Sequence, residues 1–86
     1  MAILVDPAIW PWRGTLWAHL VSDTSYDELH DFAGELGIPR HAFQGDHYDI
    51  PDVLRPEAIE LGALDVTGRE LILRLRASGL RRPKRR

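Results

Sequence analysis

Eighty-six residues and 9.8 kDa make one small domain, too short to house separate catalytic and regulatory modules. The net charge of −2 hides a segregated chain: residues 1–73 carry all 13 acidic groups against four arginines, a net of −9, while residues 74–86 carry seven basic groups and no acid, a net of +7. The absence of cysteine excludes a disulfide frame and thiolate chemistry and fits a reducing, cytoplasmic compartment.

In chain order, Ala2–Val5 is an apolar run stopped by Asp6-Pro7 and reads as a buried strand. Four apolar residues fall far short of a signal-peptide core or a membrane span. Pro7 and Pro11 argue against a regular ladder across Pro7–Gly14, which reads as a loop carrying Trp10, Trp12 and Arg13. Thr15–Val21 is a second strand. Its alternation sends Leu16, Ala18 and Leu20 to one face and Trp17, His19 and Val21 to the other.

Ser25 with Glu28 forms a capping box that opens a helix, with Tyr26, Leu29, Phe32, Ala33 and Leu36 on one stripe and Gly37 at its end. Asp27, Asp31 and Glu35 share the opposite face. Arg40–Gln44 reads as a third strand, and Gly45 permits a turn. Asp46–Ile50 is extended or looped, because Pro51 disfavours helix at Ile50. Asp52 is expected to cap a short helix in which Leu54, Ala58 and Leu61 face inward. Ala63–Val66 is a fourth strand, and Thr67 with Glu70 opens a last helix that turns Leu71, Ile72 and Leu75 inward and stops at Gly79. The segment from Leu80 onward is too charged to pack. This order predicts a small single α/β domain over residues 1–78, with a partly parallel sheet of about four strands and three helices, and a flexible basic tail over residues 79–86.

The chemistry-bearing residues gather at predicted strand ends, where α/β sheets collect ligands. In an extended stretch His47 and Asp49 point the same way. They can share one metal ion, or act as a general base with its orienting carboxylate. His19 is a third candidate for the catalytic set, and Asp6, ending the first strand, a fourth ligand for a divalent metal. Arg13, beside a glycine, suits a phosphate or carboxylate clamp. Structural roles compete with each of these: His47 and Asp49 can serve a turn, His19 can be a half-buried strand residue, and His30 can pack beside Tyr26. The chain has no phosphate-binding glycine loop, no nucleophile elbow and no zinc-finger frame, and its only lysine, Lys84, lies in the tail.

The strings Val5-Asp6, Trp17-Ala18-His19-Leu20, Ser22-Asp23, Glu28-Leu29-His30, Phe43, Asp46-His47-Tyr48-Asp49, Gly62-Ala63 and Thr67-Gly68-Arg69-Glu70-Leu71, in this order and spacing, give a pattern with a known likeness. The chain resembles a family of short bacterial and phage proteins grouped as domain of unknown function 4031, from about Ile3 to Leu75. The resemblance implies no activity. It does draw Asp23, Glu28, His30 and Tyr48 in as ligand-binding candidates, because they stand on motif positions. Ile9–Trp12 departs from the pattern.

Three functions follow as expectations. The first is binding of a small phosphate-containing ligand, a divalent metal or both, through Asp6, His19, His47 and Asp49, with hydrolysis as the reaction such a site could run. The second is attraction of nucleic acid by residues 69–86. The third is self-association into a homo-oligomer, in which the tail meets the acidic face of Asp27, Asp31 and Glu35. No membrane partner is expected.

Overall fold

The longest strand, Thr15–Ser22 (β3), organises the molecule, and the computed structural model describes residues 2–82 around it. Ile3–Val5 (β1) pairs antiparallel with its C-terminal half, Leu4 opposite Val21 and Val5 opposite Leu20. Trp10–Trp12 (β2) pairs with its N-terminal half, Trp10 opposite Trp17. Tyr48–Pro51 (β4) takes the other edge of β3, and Leu64–Asp65 (β5) adds in parallel to β1. The result is a mixed five-stranded sheet with three helices, Tyr26–Glu35 (α1), Arg55–Glu60 (α2) and Gly68–Ser78 (α3), an α/β fold. No helix among the described residues is long and apolar enough to cross a membrane.

Alternation along the strands divides the core in two. Ile3, Val5, Ala18, Leu20, Tyr48 and Ile50 point to one face, where Leu29, Ala33 and Leu36 of the α1 region and Ala58 of α2 seal them. Leu4 and Val21 point to the other, under Leu71 and Leu75 of α3. Both long helices start at the expected caps: the Ser25 Oγ accepts from the Glu28 N–H and the Thr67 Oγ1 from the Glu70 N–H, each at 3.0 Å. Each such cap stabilises its helix by roughly 1 kcal/mol.

The tryptophan–proline segment is a hairpin strand and not a loop. Pro11 is tolerated because β2 is an edge strand, whose missing N–H faces away from the ladder. Arg13 and Gly14, with φ of 50° and 77°, make the two-residue turn into β3, whose positive angles suit the twist of a hairpin. Arg40–Gln44 is not a strand: Arg40–Ala42 forms a 3₁₀ turn after Pro39, closed by the Phe43 N–H on the Arg40 carbonyl. The strand comes later, at β4. Asp52 does not cap α2; its Oδ1 accepts from the Thr15 hydroxyl across the sheet edge. Leu61 faces outward, 45 % exposed, since α2 ends at Glu60 before a further turn could carry it in.

Leu80–Arg82 also departs from expectation, because it lies against the body. The Tyr26 hydroxyl donates to the Leu80 carbonyl, the Arg82 N–H donates to Asp46 Oδ2 at 2.8 Å, and the Arg82 guanidinium lies 5.3 Å from the Tyr26 ring centre. Local apolar contact outweighs the charge here: Leu80 packs on the α3 side of the core. The remaining tail residues, 83–86, lie outside the described residues.

Candidate metal centre

The two sheet faces are covered unequally. On the α3 side Trp17 and His19 of β3, Asp49 of β4 and His47 just before β4 are only partly buried, and α3 lines the cleft beside the two histidines. Register sets the first contact. His19 stands directly opposite Asp49 in the β3–β4 ladder, which brings their Cβ atoms to about 5 Å. His47, two residues before Asp49, falls on the same face.

The position of His19 depends on a gap in the sheet. β1 and β2 both pair with the same edge of β3, and Asp6–Ile9 crosses between them. Pro7 has no N–H to offer there, and the Asp6 side chain stands in for a ladder partner. Its Oδ1 accepts the His19 backbone N–H at 2.6 Å, and its Oδ2 lies 2.8 Å from His19 Nδ1. With both oxygens of the nearly buried Asp6 committed to His19, that ring is fixed and Nε2 is the nitrogen it has left to offer.

His47 is held in a similar way. Its Nδ1 lies 2.7 Å from Asp46 Oδ1, and its Nε2 lies 3.2 Å from Asp49 Oδ1. The second contact is an ion-pair distance without hydrogen-bond alignment, so the buried Asp49 Oδ1 has no hydrogen-bond partner among the described residues. Burial pulls the His47 pKa down, but the Asp49 and Asp46 carboxylates outweigh it, and the net displacement is upward. Burial likewise raises the Asp46 carboxyl, yet its bonds to His47 and the Arg82 N–H leave it below the ordinary carboxylate range. The His19 and His47 rings meet edge to face with centres 5.3 Å apart.

One ligand atom from each of His19, His47 and Asp49 lies within 4.8 Å of the others. Metal-bound histidines usually donate their second ring nitrogen to a carboxylate, which fixes tautomer and orientation. Asp6 and Asp46 occupy those two positions. Asp6 was expected among the ligands; its oxygens are instead spent on His19.

The other sequence candidates lie elsewhere. Arg13 is exposed in the hairpin turn, its guanidinium 4.6 Å from the Trp12 ring centre. His30 and Tyr48 belong to the sealed face, where His30 Nδ1 lies 2.8 Å from the Tyr48 hydroxyl and both rings pack on Phe43. Glu28 accepts from the Ser22 hydroxyl at the start of α1. Asp23 ties three parts of the chain together, accepting from the Ala2 N–H at 2.9 Å and from Arg74 of α3 at 2.8 Å.

Two participants were missed. Asp46 does not alternate away from His47 as a residue one position earlier in a strand would. It precedes β4, on a bend that follows Gly45 with φ of 88°, so alternation does not apply; adjacency to His47 was the only available signal. Arg81 stands in the wall of the cleft beside the two histidines, and nothing local announces it.

Neither the search of curated proteins nor that of solved structures returned a match. The family model described as a protein of unknown function, DUF4031, matches residues 3–78, which takes in every strand, every helix and all of Asp6, His19, Asp46, His47 and Asp49. The chain therefore belongs to the DUF4031 family.

Proposed function

We propose that this protein binds a divalent transition metal ion, of the zinc or manganese kind, through His19 Nε2, His47 Nε2 and Asp49 Oδ1, and that the ion supports hydrolysis of a small phosphate-containing ligand. The observation that carries the reading is the convergence of three ligand atoms within 4.8 Å, with each histidine already anchored by its own carboxylate. Two imidazoles and a carboxylate suit first-row divalent ions. Three protein ligands on a four-coordinate ion leave one position for water, as catalytic centres do and structural ones do not. A bound ion would also give the orphaned Asp49 oxygen a partner, removing the penalty of leaving it unsatisfied.

Within this reading the chain's own groups have distinct tasks. His19, His47 and Asp49 hold the ion; Asp6 and Asp46 hold the two rings. The ion would supply an activated water near neutral pH, which matters because among the described residues the cleft lining contains no serine, threonine, cysteine or lysine to act as nucleophile.

Calorimetric titration of the intact protein with zinc and with manganese tests it. One site per chain is expected, lost in His19→Ala and in His47→Ala, while circular dichroism of both variants remains that of the folded protein. Absence of binding by either ion, or unchanged binding in both variants, would overturn the reading.

A further inference from the structure

Next to the two histidines lies a cleft of about 380 Å³, within the range of small-molecule sites. Its floor is Val21 of β3 with Leu71 and Leu75 of α3, all at most 2 % exposed. Its wall includes Arg81. Among the described residues Arg81 donates no hydrogen bond. Its nearest acidic atom is Asp46 Oδ2 at 3.6 Å, and that oxygen already accepts the Arg82 N–H. Arg55 and Arg74, by contrast, spend donors on Asp65 and Asp23. Arg81 is thus an arginine beside the centre whose planar fork of donors is still open, the geometry that suits phosphate or carboxylate.

Charge decides what can enter. Asp6, Asp46 and Asp49 together repel an anion, and Arg81 alone does not offset them. A divalent ion with Arg81 brings the cleft near neutrality, so an added anion is no longer repelled. We infer that the cleft binds a small phosphate monoester with an apolar organic body, its phosphate placed between the metal ion and Arg81 and its body against Ile72, the partly exposed apolar side chain of the lining, above Val21, Leu71 and Leu75. The inference rests on the metal reading above and adds to it the substrate class and a specificity residue.

The test uses full-length protein with and without zinc, titrated with phenyl phosphate, inorganic phosphate, phenol and benzoate. Zinc-loaded protein is expected to bind phenyl phosphate at least about ten-fold more tightly than inorganic phosphate, and more tightly than phenol or benzoate. Arg81→Gln is expected to weaken phenyl phosphate by about ten-fold or more, the loss of a charge-assisted hydrogen bond, while its zinc affinity changes by less than about three-fold. Removing zinc is expected to abolish the binding. Zinc binding with no preference for phenyl phosphate over inorganic phosphate, or with equal binding by Arg81→Gln, overturns this inference and leaves the metal centre standing. A preference for benzoate would reassign the head group to a carboxylate and overturn the phosphate assignment. Failure to bind either zinc or manganese overturns both.

Discussion

Each face of the sheet carries histidines, and the two faces use them differently. On the sealed face His30 faces the hydroxyl of fully buried Tyr48, with Phe43 against both rings. On the open face His19 and His47 each have Nδ1 held by a carboxylate, Asp6 and Asp46, while His47 Nε2 lies 3.2 Å from Asp49. Burial alone does not separate the cases, since all three are only partly exposed. What differs is the neutral or ionised character of the partner. A tyrosine hydroxyl can satisfy a neutral imidazole and ends the matter there. A carboxylate pushes electron density toward the far nitrogen and makes it the better ligand.

The largest test of that contrast is on stability. Leu20→Ala, on the sealed face, removes a fully buried side chain and should cost about 2–5 kcal/mol, enough to unfold much of so small a domain. Urea denaturation would show it; a loss under about 1 kcal/mol would mean that this face is not the principal core. Next comes Asp6→Asn. It keeps the shape but not the charge behind His19, and should weaken zinc about 10–100-fold, as read by competition with a chromogenic chelator. Unchanged affinity would deny Asp6 its role in positioning the ring.

A smaller effect is expected from His30→Ala. It leaves the buried Tyr48 hydroxyl without its partner, at a cost of about 1–3 kcal/mol, and should leave zinc affinity as it was. Loss of zinc by this variant would break the division into two faces. The smallest effect concerns Asp23. Burial raises its carboxyl, but the Ala2 N–H, Arg74 and Thr24 outweigh it and hold it below its ordinary 3.8. A depressed native pKa means stabilisation that is complete above the unfolded value and lost as pH falls through the native one. Asp23→Asn should therefore lower the urea midpoint slightly at pH 7 and leave it nearly unchanged near pH 2. An equal loss at both would assign the effect to hydrogen bonding or packing instead of charge.

Much of this arrangement could be read from the chain before folding. Period-two alternation put His47 with Asp49 and His19 with Trp17 and Val21 on the faces they occupy, and the two capping boxes located α1 and α3. The rest depended on non-local pairing. Pro11 marks a loop unless β3 supplies an edge for β2, and the place of the strand after α1 shifted from Arg40–Gln44 to Tyr48–Pro51 because Trp17–Leu20 pairs only with the latter. Asp46 escaped because a bend replaces the strand geometry assumed for it. Arg81 escaped because Asp46 and His47, beside which it stands, lie far back in the sequence. The basic arm, read as solvated throughout, is tethered at its first residues to Tyr26 and Asp46, so for Arg81 and Arg82 charge segregation along the chain does not translate into separation in space.

On the proposed metal reading, the pairing of His19 with Asp49 ties metal binding to quality control. A slip of one residue between β3 and β4 would turn His47 and Asp49 inward and push Tyr48 and Ile50 into water. A misassembled molecule would then lose the proposed ligand set and expose a sticky apolar surface in the same event. Chains that could hold the metal would be those that also fold without aggregating, and the bound ion would lock that register against later slippage.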